Sequence, residues 1–127
     1  MKVKTIKLPE SMTKIQPDTA NQPAKRKRRC YVAGPVRNNP NFREQFKTAK
    51  ATLLKQGFDV ISPIDVEDAM GLSYMTNREI MNLGIALCSL CDCIAMIPGH
   101  ENAKGCKMEL AYAIANNMPV IELEESD

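Results

Sequence analysis

Four short apolar runs, each closed by a turn signal or by the chain's polar end and separated by stretches of helical periodicity, constrain this chain more than any other feature. They are Cys30-Tyr31-Val32-Ala33, Phe58-Asp59-Val60-Ile61, Ile94-Ala95-Met96-Ile97 and Val120-Ile121-Glu122-Leu123. Each has the length and content of a buried strand. Gly34-Pro35, Ser62-Pro63 and Pro98-Gly99 end the first three, since proline removes a ladder donor and glycine releases the chain into a turn. Between the first two runs, Phe42, Phe46, Ala49 and Leu53 recur at helical spacing up to Gly57, behind the start signal Asn39-Pro40. Thr76, three residues before Glu79, predicts a capping box for a helix reaching Cys91, with Ile80, Leu83, Leu87 and Leu90 as its buried stripe. Met108, Ala111, Tyr112 and Ala115 predict the inner stripe of a third helix, stopped by Asn116-Asn117. The order β-α-β-α-β-α-β, with no tight hairpin, predicts an α/β three-layer sandwich. Its sheet has four or five parallel strands joined by right-handed crossovers, with helices on both faces.

In such a flavodoxin- or Rossmann-like sheet, residues just beyond the strands' carboxyl ends and at the start of the following helix line the ligand crevice. Glu109 falls there, in the first turns of the last helix. Gly34, Pro35, Pro63, Asp65, Gly99, His100, Glu101 and Gly105 fall on the same rim and are the candidate substrate-binding residues. Glu109 also has a plainer reading, as a favourable charge near a helix amino end worth about 0.3–1 kcal/mol. Asp65, Glu67 and Asp68 are expected in a loop after Ser62-Pro63. They read either as a solvated acidic loop or as a cation site, and they lack the spacing of a calcium loop.

Charge divides the chain in two. Residues 1–29 hold nine Lys/Arg against two Asp/Glu, or +7, and residues 30–127 hold eight against thirteen, or −5. Residues 1–29 therefore read as a basic, disordered tail and residues 30–127 as one α/β domain. The run Lys25-Arg26-Lys27-Arg28-Arg29 could attract nucleic-acid phosphates or lead, solvated, into the first strand. Nucleic acid is not the favoured partner, because the body is acidic and the chain has no Trp to stack bases. The five cysteines, an odd count with no secretory signal before them, predict a reducing cytoplasm. Cys88, Cys91 and Cys93 lack a second CxxC or a His pair, so buried free thiols are expected and no metal. The longest uncharged run, Ile80 to Cys91, is too short and too punctuated by polar residues to span a bilayer.

Tyr31-Val32-Ala33-Gly34-Pro35, the strand ending at Ser62-Pro63, Met81 through Asp92, Pro98-Gly99-His100-Glu101, and Gly105 with Glu109 together resemble the nucleoside 2-deoxyribosyltransferase superfamily. The likeness is to its small members from bacteria and phages, and it covers residues 30–123. It implies an N-glycosidase or 2-deoxyribosyltransferase that uses no cofactor and acts on a nucleoside or nucleotide. It further implies Glu109 as the nucleophile at C1′, Tyr31 as the residue that orients it, and a homodimer as the assembly. Two positions depart from the family pattern. The resemblance implies an aspartate as proton donor where this chain has Gly84, and a serine or aspartate at the sugar or its 5′-phosphate where it has Ala103. Asp92, at the amino end of its strand, reads as a turn residue. A catalytically inactive binder of nucleotide-like molecules on the same scaffold is the alternative expectation, and a nucleic-acid accessory protein using the basic tail is the third.

Overall fold

The structure is a computed structural model that describes residues 1–9 and 26–126. In chain order it contains β1 (Lys2–Lys7), β2 (Arg29–Ala33), α1 (Phe42–Lys55), β3 (Asp59–Ile61) and α2 (Pro63–Met70). These are followed by α3 (Asn77–Cys88), β4 (Cys93–Met96), a 3-10 turn (His100–Asn102), α4 (Lys104–Ala115) and β5 (Val120–Glu124). The strands form one sheet in the order β1-β5-β4-β2-β3. β2 pairs in parallel with both β3 and β4, and β4 with β5, so strand order reverses between β2 and β4.

The sheet is mixed, which corrects the expectation of a wholly parallel one. β1 runs antiparallel to β5 along its outer edge. Residues 2–7 therefore belong to the sheet and not to a tail, while residues 10–25, including Lys25 of the basic run, lie outside the described residues. The scattered apolar side chains of β1 gave no strand signal because its ordering comes largely from the backbone. β5 would otherwise leave a row of unpaired edge groups. Met1 and Val3 add contact with the core, and the Met1 carbonyl accepts a 2.8 Å hydrogen bond from Thr52 Oγ1 on α1.

Side chains alternate across the sheet with the period of two that strands impose. Cys30, Val32, Cys93, Ala95, Ile121 and Leu123 face α1, where Phe46, Ala49 and Leu53 close the first core cluster. Tyr31, Ala33, Ile94, Met96 and Val120 face the other way, against Cys88 of α3 and Cys106 and Ala113 of α4. The Thr76–Glu79 capping box is present. The expected α1 start is shifted, because Asn41 caps the helix and Asn39 Nδ2 donates instead to the Pro35 carbonyl at 2.9 Å.

The inward faces of α3 and α4 also differ from expectation. Ile80 and Leu90 are exposed, and the buried residues of α3 are Gly84 and Cys88. Met108 is exposed, as are Ala111 and Ala115, and α4 buries Cys106 and Ala113 instead. Both helices thus turn small or thiol residues towards the sheet, and large aliphatics partly outward. α3 also ends at Cys88, with Cys91 and Asp92 in the turn beyond it.

That turn is anchored by charge. Asp92 accepts from the Arg29 backbone N–H at 2.8 Å and from Arg26 Nη2 at 3.1 Å. Of the four cations of the basic run that are described, Arg26 and Arg29 are thus engaged at the entry to β2, since Arg29 Nη1 also donates to the Leu90 carbonyl. No helix among the described residues is long and apolar enough to cross a membrane.

Candidate active site

Tyr31 stands in the middle of β2, between Ile61 and Ile94 in register, and is 1% exposed. Its position in the strand's alternation sends the ring to the α3/α4 side. There the phenol O–H donates to Glu109 Oε2. Glu109 reaches this point from α4, three residues after buried Cys106 and four before buried Ala113, which is the spacing that places all three on one helix face.

Gly84 completes the enclosure from α3. A Cβ at this position would collide with the Glu109 carboxylate and lie 3.1 Å from the Tyr31 hydroxyl. The glycine is therefore the space in which the pair sits. Gly84 also marks the position of the proton donor that the family resemblance implies, and no side chain fits there while Glu109 keeps this conformation. The sequence carried a signal for this contact, an isolated glycine inside a helical pattern, which costs about 1 kcal/mol relative to alanine and so calls for a packing reason.

The electrostatics follow from this enclosure. Burial pushes the Glu109 carboxyl up from 4.5 to about 7, the Tyr31 hydrogen bond pulls it down, and the charge of Glu67 pushes it up again. Burial, with the neighbouring Glu109 charge second, raises Tyr31 well above the usual phenol range, so it remains a neutral donor. The thiols of Cys88 and Cys106 are each pushed up to about 12, by burial first and by Glu109 next. These two cysteines therefore share the pocket as neutral, weakly polar walls. Neither was expected to take part in the site.

The rim above the pair is formed where strand order reverses. The Ile97 N–H donates to the Ala33 carbonyl at 2.8 Å, and a Cβ on Gly34 would lie 2.8 Å from the Ile97 side chain. Gly99 adopts φ 90°, with its would-be Cβ 3.7 Å from Pro35 Cγ. Gly34, Pro35 and Gly99 are thus brought together at the carboxyl ends of β2 and β4, the position of ligand crevices in sheets of this kind. Gly105 is the second residue of α4 and faces open space.

The other candidates are placed apart from the pair. His100 Nε2 lies 3.0 Å from Glu122 Oε2 on β5 and 3.5 Å from exposed Glu101. Pro63 opens α2, which corrects the expected acidic loop: Asp65, Glu67 and Asp68 are helical. Asp65 is ion-paired with Lys50 at 2.8 Å and Asp68 with Arg43 at 2.9 Å, both on the α1 side. Glu67 is half-buried, and its charge is the smallest of the three influences on Glu109. All five thiols are free, Cys91 half-buried and the other four buried. Among the described residues, no group of three or more His, Cys, Asp or Glu is placed to hold a metal ion.

The fold and this pair define the class: a mixed α/β domain in which a half-buried carboxyl meets a buried phenol beneath the carboxyl-end rim of its sheet. The chain belongs to the family described as Domain of unknown function (DUF4406), whose model matches residues 28–122. The match takes in the elements from β2 to α4 and most of β5, and leaves β1 outside it. No curated protein sequence matches the chain.

Proposed function

We propose that this protein cleaves the N-glycosidic bond of a nucleoside or nucleotide, or transfers its deoxyribosyl group, with Glu109 as nucleophile and Tyr31 holding it. The observation that carries the reading is the bond from the neutral Tyr31 phenol to a carboxyl enclosed between α3 and α4. Loss of a base from a sugar passes through an oxocarbenium-like state. A carboxylate at C1′ stabilises that positive charge or bonds to it, and water or a second base then completes hydrolysis or transfer. The phenol fixes one oxygen and leaves the other free to attack. An ionisation near 7 leaves a large fraction of Glu109 anionic at neutral pH, and low polarity around it strengthens its interaction with a developing cation.

The direct test incubates the protein with a panel of deoxynucleosides and their monophosphates and follows free base by chromatography. Release by the wild type that is lost in Glu109→Gln is the expected outcome. Release unchanged in the variant refutes Glu109 as nucleophile. The second reading, a nucleotide-like binder without turnover, is favoured by one feature: Ala103 caps α4 without a side-chain hydrogen bond, so the cap position offers no hydroxyl or carboxylate to the sugar or phosphate. It predicts ligand-dependent thermal stabilisation with no product.

A further inference from the structure

We propose that Glu67 is the general acid and base of this site, donating a proton to the departing base while Glu109 acts at the sugar carbon. The inference rests on the glycosidic reading above and supplies the group that Gly84 cannot.

The geometry starts from α2. Pro63, Ile64, Val66 and Glu67 are half-buried, whereas Asp65, Asp68, Ala69 and Met70 are exposed. At about 100° per residue the four half-buried positions share one arc, with Glu67 near its centre. α2 touches β2 and α3, the two elements that carry Tyr31 and Gly84, while Ile64 on the same arc reaches the core on the α1 side. The three carboxylates of α2 therefore divide by direction. Asp65 and Asp68 are turned outward and neutralised by Lys50 and Arg43. Glu67 is turned inward, and among the described residues its carboxyl has neither a hydrogen-bonding nor an ion-pairing partner.

Position in the sheet supports the same assignment. α2 begins directly after β3, beside the carboxyl end of β2, so it borders the crevice on the side opposite the loop from β4 to α4. A nucleoside whose sugar carbon lies at Glu109 would then have Glu67 on its open side. Burial and the neighbouring Asp68 charge raise Glu67 above the usual carboxylate range, which favours the protonated form an acid needs.

The step balances. A Glu109 carboxylate oxygen bonds to C1′ as the C1′–N bond breaks, and the Glu67 carboxyl proton passes to the departing ring nitrogen. Water then attacks C1′, Glu67 takes its proton, and the ester bond to Glu109 breaks to restore both groups.

The test compares wild type, Glu67→Gln, Asp68→Asn and Glu109→Gln on two substrates. One is a deoxynucleoside, whose base needs a proton to leave. The other is 4-nitrophenyl 2-deoxyriboside, whose phenolate does not. Glu67→Gln is expected to slow base release by ~10²–10⁴-fold, the usual contribution of a positioned acid, with a far smaller effect on nitrophenolate release. Asp68→Asn removes the charge that helps raise Glu67 and should lower base release relative to nitrophenolate release far less than Glu67→Gln does, and Glu109→Gln loses both activities. Equal losses on both substrates in Glu67→Gln, or none on either, overturn the role of Glu67 while leaving the glycosidic reading standing. A wild type inactive on both substrates overturns that reading and this inference together. A pH–rate readout separates the two carboxyls: Glu67→Gln should remove the basic limb of base release from the deoxynucleoside and leave nitrophenolate release unchanged over the same range. A basic limb kept in Glu67→Gln overturns the role.

Discussion

Replacing Glu109 by glutamine should stabilise the protein at pH 8 and leave it nearly unchanged at pH 4. The carboxyl is raised from 4.5 to about 7 chiefly by burial, so between these values the unfolded chain has released a proton that the folded chain retains. Stability is then full below the unfolded value, falls as pH rises through the interval, and stays at its lower level above the folded value. At ~1.4 kcal/mol per tenfold change in proton affinity, the cost at pH 8 is about 3 kcal/mol. Glutamine keeps the shape, can accept from the Tyr31 hydroxyl and has no charge to desolvate. Urea unfolding at the two pH values measures the difference, provided the m-value is the same in both proteins. Comparing wild type with variant cancels the other groups that titrate in the interval. Parallel pH profiles, or a variant less stable than wild type at pH 8, would refute the claim that Glu109 is held in a desolvated pocket.

Three further outcomes follow from the same geometry. Tyr31→Phe removes the hydrogen bond that lowers Glu109, so the acid limb of base release should move above pH 7 in a pH–rate profile; an unmoved limb means that the phenol does not control the carboxyl. Gly84→Ala places a methyl where the Glu109 carboxylate lies, and a flexible side-chain end can yield. The fold should survive, helped by about 1 kcal/mol of helix propensity, while base release falls at least ~10-fold as the near-attack geometry is lost. Full activity in this variant would show that the pair is not needed as placed. Asp92→Ala leaves the Arg29 N–H and Arg26 without their acceptor and should cost about 1–3 kcal/mol in urea unfolding. A change under about 0.5 kcal/mol would show that water replaces the carboxylate there without loss.

The parallel core of the sheet was legible in the sequence because Tyr31-Val32-Ala33, Val60-Ile61, Ile94-Ala95-Met96 and Val120-Ile121 are buried or half-buried runs with sharp stops. β1 was not, because Lys2, Lys4 and Lys7 dilute its pattern and an edge strand is held by backbone pairing that composition does not report. α2 was missed for a related reason. Eight residues with three carboxylates have no apolar stripe, and only Pro63 at its first position and Gly71 in the left-handed conformation at its end mark the helix. The meeting of Tyr31 and Glu109, 78 residues apart, had no local signal at all, and it came into view only through the resemblance of the segments that carry them.

The inward faces of α3 and α4 show why hydrophobic periodicity misplaces residues around a buried polar site. A stripe drawn through the largest aliphatics selects Ile80, Leu83, Leu87 and Leu90, and likewise Met108, because side-chain volume usually follows burial; Leu83 and Leu87 are indeed half-buried, whereas Ile80, Leu90 and Met108 are exposed. Here each helix is turned so that Gly84 and Cys88, and Cys106 and Ala113, face the sheet. Large side chains on those faces would fill the volume that the Tyr31 ring and the Glu109 carboxyl occupy. Small and thiol residues let the helices close on the pair without offering a competing charge, and the resulting desolvation is what raises Glu109 towards neutrality. The cost is apolar surface left partly exposed on the outer faces, at Ile80, Leu90, Met108 and Ile114. Enlarging these inward faces with Cys88→Leu or Cys106→Leu would add core volume at the expense of the pocket. Overpacking of that kind costs roughly 1–3 kcal/mol, and in this protein it would fall on the carboxyl proposed to carry the chemistry.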